Sequence, residues 1–116
     1  MQNIGLSIIG DEILSGKRKD AHLSKMIELL AARGLQLSWA HFLGDIPDQI
    51  TMMFKQSMAR GDIVFSFGGI GATPDDYTRQ CAADAAGVPI ERHIGAVAEI
   101  EAQFGDGAYP KRVLMA

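Results

Sequence analysis

Two stretches, Ile4 to Ile9 and Asp62 to Phe67, are almost unbroken apolar runs of strand length, and each gives way directly to glycine. A run this short and this apolar reads as a strand buried on both faces, the kind found in parallel sheets covered by helices. Between and after these runs the period changes. Leu23, Met26, Ile27 and Leu30 recur at i, i+3, i+4 and i+7, with Gly34 as a helix-ending residue. Pro47 opens a second helical pattern with Asp48 in its first turn, an inward stripe of Ile50, Met53, Phe54 and Met58, and Gly61 at its end. Thr73 reads as the N-cap and Pro74 as the first position of a third helix, small-faced through Ala82, Ala83, Ala85 and Ala86 and closed by Gly87. Val97, Ile100 and Phe104 mark a fourth, shorter pattern before Gly105 and Gly107. Leu35, Leu37 and Trp39 alternate with Gln36, Ser38 and Ala40, which predicts a half-exposed strand near a sheet edge.

Strands alternating with helices along the whole chain imply right-handed crossovers and an α/β fold, with a mostly parallel sheet and helices on both faces. Ligands on such sheets sit beyond the carboxyl ends of the strands. The Gly10 loop, the Leu43-Gly44-Asp45 loop and the Gly68 loop each follow a predicted strand, so they fall on one rim. With 116 residues, 47% hydrophobic and 22% charged, the chain is sized for a single domain over residues 1–116. It stops at Lys111-Arg112-Val113-Leu114-Met115-Ala116 with no closing strand, which predicts a domain truncated at its C-terminus.

The formal net charge is -3, and Lys17-Arg18-Lys19 is the only basic run, which reads as a solvated loop. That argues against nucleic acid as a partner. Cys81 is the single cysteine, so one chain can build neither a disulfide nor a thiolate zinc site, and its alanine-rich helix makes it a packed core thiol. A cytoplasmic setting follows, with no leader and no apolar window near the ~20 residues of a membrane span. His22, His41 and His93 fall on different elements, which argues against a histidine metal site.

The chemistry concentrates in Ser66-Phe67-Gly68-Gly69-Ile70-Gly71-Ala72-Thr73-Pro74-Asp75-Asp76-Tyr77-Thr78. It is not a Walker A loop, having no Gly-Lys-Ser/Thr, and Pro74 occupies the third-glycine position of a dinucleotide fingerprint. Two readings stay open. One is a tight strand-to-helix turn with Thr73 capping toward Asp76; the other is a main-chain cradle for phosphate, with aspartates that tolerate the anion through a divalent cation. Gly10-Asp11-Glu12-Ile13-Leu14-Ser15-Gly16 is either a polar turn or a pair of carboxylates for a metal or a donor-rich heterocycle. Asp45 is either a loop residue near a helix start or part of the same set. Asp11, Glu12, Asp45, Asp75 and Asp76 then make five carboxylates on one predicted rim, a set suited to magnesium and phosphate.

These three blocks, in this order and on these elements, resemble the MoaB/Mog-like molybdopterin-binding domain family, and within it the branch containing the N-terminal domain of CinA, the competence/damage-inducible protein. The likeness covers essentially the whole chain. It implies a three-layer α/β/α sandwich, often a homo-oligomer and specifically a trimer, that binds molybdopterin or a nucleotide-like ligand at the rim. It implies phosphates cradled by Gly68, Gly69 and Gly71, with Asp45 and Asp76 as the magnesium-binding and catalytic positions. Gly10, Asp11, Glu12, Thr73, Asp75 and Thr78 complete the candidate ligand-binding set. The function implied is holding or processing a phosphorylated pterin or nucleotide in molybdenum cofactor biosynthesis. The CinA branch implies instead a pyrophosphatase acting on an ADP-ribose-like nucleotide, and a third reading is a non-catalytic binding or assembly module. Two departures stand out: His22 replaces an asparagine common after the Asp20 position, and the loop reads Ile70-Gly71-Ala72 rather than Leu-Gly-Pro. The CinA amidohydrolase domain is missing, so deamidation is not implied.

Overall fold

The run Ile4–Ile9 becomes the central strand, β1, because both of its edges find a partner and both of its faces are covered. The computed structural model describes residues 2–71 and 73–116; Ala72 of the glycine-rich loop lies outside the described residues. Strand β2 (Trp39–Leu43) pairs with one edge of β1 and β3 (Ile63–Phe67) with the other, both parallel, in the order β2-β1-β3. Ile9 stands opposite Leu43, and Ile8 opposite Phe67, so the three strands finish at one level.

Alternation along the strands sends Gly5 and Ile9 to one face together with their partners Trp39 and Leu43. Helices α3 (Pro47–Arg60) and α4 (Thr78–Ala86) cover that face, and Ile9, Ile50, Met53, Phe54 and Cys81 form its core, with Trp39 and Leu43 packed against it. Gly5 makes room for the indole, since a Cβ there would fall 2.0 Å from Trp39. On the opposite face α2 (His22–Ala31) lies over the end of β3, with the His22 ring stacked on Phe67. Two helical layers around a parallel sheet make the three-layer α/β/α sandwich that the alternating pattern predicts.

Pro47, Gly61 and Gly87 mark helix ends where the sequence places them. Several boundaries differ. The second strand begins at Trp39, not at Leu35, because pairing with β1 starts only where Ser38 N–H donates to Ile4 C=O at 2.7 Å. Met58 is 47% exposed and Ser57 takes the inward position, its hydroxyl donating to Phe54 C=O at 3.0 Å. Strand β3 is an edge strand with Ile63 and Phe65 exposed, less covered than β1 despite a similar composition.

The larger correction concerns Thr73 and Pro74. Helix α4 starts at Thr78, so Thr73 to Asp76 form a free-standing turn, closed by Asp76 N–H to Thr73 C=O at 3.1 Å, and no acid lies in the helix's first turn. A short helix α1 (Asp11–Leu14) stands where the sequence suggests a polar turn. Helix α5 (Ile94–Phe104) has 11 residues, more than its pattern suggests, and buries none of them. Two 3₁₀ turns follow, Gly105–Ala108 and Arg112–Met115. Among the described residues no helix is long and apolar enough to cross a membrane.

Candidate functional site

Because the strands finish in register, the residues after them converge. Gly10 N–H donates to Leu43 C=O at 2.9 Å, which ties the loop after β1 to the end of β2. Gly68, after β3, presses against the end of β1 so closely that a Cβ would sit 1.9 Å from Ile9 C=O, and its φ of 94° is one that residues with a side chain rarely adopt. Gly68 is thus a requirement of backbone contact between neighbouring strand ends, whereas Gly69 and Gly71 leave room for the Thr78 hydroxyl and the Asp76 carboxylate.

Helix α1 turns Asp11 toward the loop after β2, and the two loops lock reciprocally. Asp11 N–H donates to Asp45 Oδ2 at 3.2 Å, and Asp45 N–H donates to Asp11 Oδ1 at 2.9 Å. Burial raises the Asp45 carboxyl above its ordinary value, and the like charges of Asp11, Glu12 and Asp75 add to this, outweighing the Asp11 amide. Asp45 therefore feels three of the other four predicted carboxylates. Asp76 joins them through Thr73, whose hydroxyl lies 2.7 Å from Asp75 Oδ1 and 2.5 Å from Asp76 Oδ2. That hydroxyl, with the Thr73 and Gly71 amides and the charge of Arg79, holds the Asp76 carboxyl below the ordinary range against the opposing effect of burial.

Behind the glycine-rich loop, carbonyls are anchored on α4. Thr78 Oγ1 donates to Gly68 C=O at 2.8 Å, Thr78 N–H to Gly69 C=O at 3.1 Å, and Arg79 Nη2 to Gly71 C=O at 2.9 Å. In a trans peptide the N–H points away from its own carbonyl. Anchoring the Gly68 and Gly69 carbonyls therefore turns the Gly69 and Ile70 amides away from α4. Thr78, included in the candidate binding set, is 5% exposed and spends its hydroxyl inside the loop. Sequence reasoning missed Arg79, which also donates to Leu114 C=O and so ties the loop to the C-terminal turns. Nothing in its local sequence distinguishes it from a surface arginine.

Among the described residues no group of three or more His, Cys, Asp or Glu side chains is placed to hold a metal ion. The donors present are carboxylate oxygens backed by main-chain amides. Hard oxygen donors in ones and twos fit magnesium, which keeps its waters and completes its shell with substrate phosphate. The histidines stay dispersed: His22 stacks on Phe67, His41 lies beside Trp39, and His93 Nδ1 accepts from Ala96 N–H at the start of α5.

A cleft of about 100 Å³ opens beside the rim, lined by Glu12, Arg18, His22, Phe67 and Gly68 over a floor of isoleucines. A larger groove of about 500 Å³ lies between α2 and the connector to β2, lined by Leu23, Ile27, Leu35 and Trp39 among others. It carries no carboxylate, and the rim is the better site because charge and main-chain donors meet there.

A family model described as probable molybdopterin binding domain matches residues 5–115. A CinA-like protein of Myxococcus xanthus is 35% identical over 88 residues, 76% of this chain and 21% of that protein. A CinA-like protein of Koribacter versatilis is 32% identical over 96 residues, 83% of this chain and 23% of that protein. The chain thus spans about a fifth to a quarter of the length of these curated relatives. Among solved structures, CinA from Thermoplasma acidophilum superposes with a TM-score of 0.84 at 29% identity, covering 99% of this chain and 69% of that one. MoaB from Thermus thermophilus, described as a molybdopterin biosynthesis enzyme, superposes with a TM-score of 0.65 at 20% identity over 90% of this chain and 65% of that one, a likeness of fold.

Proposed function

The chain belongs to the family of probable molybdopterin binding domains, near its CinA branch, and from that premise we propose that the rim holds a phosphorylated pterin or nucleotide together with Mg²⁺. One observation carries the reading: three strand ends in register set Asp45 among like charges beside a loop whose amides are turned away from α4. Uncompensated negative charge next to main-chain donors is a poor site for a bare anion and a good one for an anion accompanied by a divalent cation.

A divalent ion there would neutralise phosphate charge and polarise the reacting P–O bond. The chain's own residues do the positioning. The Gly69 and Ile70 amides meet phosphate oxygens, Thr78 and Arg79 hold the loop in that geometry, and Asp76 stays ionised through its bonds to Thr73. Asp45 and Asp76 are the catalytic and metal-holding residues of this reading, and Gly10, Asp11 and Glu12 shape the wall beside them. A second reading, hydrolysis of a pyrophosphate such as that of ADP-ribose, uses the same centre and follows from what the resemblance to the CinA branch implies.

Asp45→Asn and Asp76→Asn keep the shape of each side chain and remove its charge. Each is expected to abolish turnover of ATP with molybdopterin, or of ADP-ribose, while circular dichroism and the melting profile remain those of a folded protein. Full turnover in both variants would refute the assigned roles.

A further inference from the structure

His22 opens α2 with its ring flat on Phe67, the centroids 4.3 Å apart and the planes inclined by 25°. Its Nδ1 lies 2.9 Å from Asp20 Oδ1, and Asp20 also accepts the N–H groups of His22 at 3.0 Å and Leu23 at 2.9 Å. The Asp20 side chain is 6% exposed, whereas that of His22 is 53% exposed. Burial pushes the Asp20 carboxyl up, but the Leu23 and His22 amides and the His22 ring outweigh it, so the group stays below the ordinary range and ionised. A carboxylate only accepts, which makes Nδ1 the donor of that bond and leaves Nε2 on the far edge of the ring for a partner. Nε2 makes no hydrogen bond among the described residues.

The ring helps to line the cleft of about 100 Å³ together with Glu12, Arg18 and Gly68. That space takes about three water-sized groups, too few for a fused heterocycle and enough for the hydroxyl-bearing edge of a sugar. His22 and Glu12 both line the cleft, and a hydroxyl, which donates and accepts, can pair with a ring nitrogen and with a carboxylate. Arg18 lines the same cleft as Glu12, and Asp20 is spent behind the ring. Gly68 belongs both to this cleft and to the loop read above as the phosphate cradle.

We propose that His22, positioned by Asp20 and Phe67, reads a hydroxyl of the sugar joined to the phosphate at the rim, with Glu12 accepting from its neighbour. The ligand class is a ribose-type diol phosphate, and the proposal rests on the cradle reading of Gly68 to Gly71.

The test is calorimetric titration of the folded protein, in Mg²⁺, with inorganic pyrophosphate, ADP and 2′,3′-dideoxy-ADP. The wild type is expected to bind ADP about tenfold more tightly than the dideoxy compound, the scale of one or two lost hydrogen bonds. His22→Phe keeps the stack and loses the nitrogen, so it should erase that preference and leave pyrophosphate binding within about twofold. His22→Gln, whose amide reaches the place of Nε2, should retain part of the preference, and His22→Asn, which reaches only the place of Nδ1, should not. Equal binding of ADP and dideoxy-ADP by the wild type, or an undiminished preference in His22→Phe, overturns the proposal. Failure of the wild type to bind pyrophosphate overturns the cradle reading, and this inference with it.

Discussion

Two aspartates sit at opposite ends of the same small sheet, and their surroundings differ in sign. Asp62, just before β3, is 1% exposed in its side chain and is closed off by Arg60 Nη2 at 2.8 Å, Arg60 Nε at 2.9 Å and the Trp39 indole N–H at 3.0 Å. Burial pushes that carboxyl up, but the Arg60 and Trp39 bonds outweigh it and hold it below the ordinary range. Asp45, just beyond β2, has its carboxyl raised by burial and by the like charges of Asp11, Glu12 and Asp75. A charge answered within the fold fastens the fold. A charge crowded by its own kind costs stability and marks a place kept for something else.

The contrast breaks most sharply at glycine. Gly61 and Gly68 both have positive φ, yet a Cβ at Gly61 meets nothing within 4 Å, whereas one at Gly68 lies 1.9 Å from Ile9 C=O. Gly61→Ala, beside Asp62, should cost about 1 kcal/mol, the backbone penalty alone. Gly68→Ala should cost about 3 kcal/mol or more, because the strand ends must also part. Urea titrations of the two variants compare these values, and equal losses would mean that the rim is not tightly locked.

Neutralising the two aspartates should move stability in opposite directions. At pH 7 and low salt, Asp62→Asn is expected to lower the melting midpoint by weakening the tie between Arg60 and Trp39. Asp45→Asn still offers an oxygen to Asp11 N–H and relieves repulsion, so it should raise stability by about 0.5 kcal/mol. A fall in both variants would remove the distinction between a fastened and a crowded acid.

A smaller effect lies in the pH profile. Asp62, Asp76 and Asp20 have folded values below the ordinary 3.8, so their stabilisation is complete above that value and is lost as the pH falls through their folded values. Asp45 has a folded value above 3.8, so its proton stabilises the fold below that value and the benefit is lost as the pH rises through the folded value. Midpoints measured from pH 2.5 to pH 6 should show Asp62→Asn losing part of the acid decline and Asp45→Asn losing part of the decline on the other side.

The legible parts were those decided by local chemistry. The run Ile4–Ile9 has one reasonable fate, and Pro47, Gly61 and Gly87 act through their own backbones. Thr73-Pro74-Asp75-Asp76 misled because a capping turn closes on the same residues whether or not a helix follows, and here α4 waits until Thr78. The swap of Ser57 for Met58 depends on the rotation of α3 against the sheet, which spacing alone leaves free. The candidate carboxylates were visible as residues following strands, and the parallel register carries the strand ends to one level. The anchoring of loop carbonyls by Thr78 and Arg79 was not visible, since it exists only once the loop has folded back over α4. The pairing of Asp62 with Trp39, residues 23 apart, was hidden for the same reason.

The account depends on the rim being incomplete without a cation and a phosphate. Thermal melting of the wild type with Mg²⁺ and pyrophosphate, each component alone and both together, tests this most directly. The two together should stabilise the fold by about 2.7 kcal/mol at a hundredfold excess over the dissociation constant, with little from either alone and none in the double variant Asp45→Asn, Asp76→Asn. An unchanged melt with both present, or an equal gain in the double variant, would contradict it.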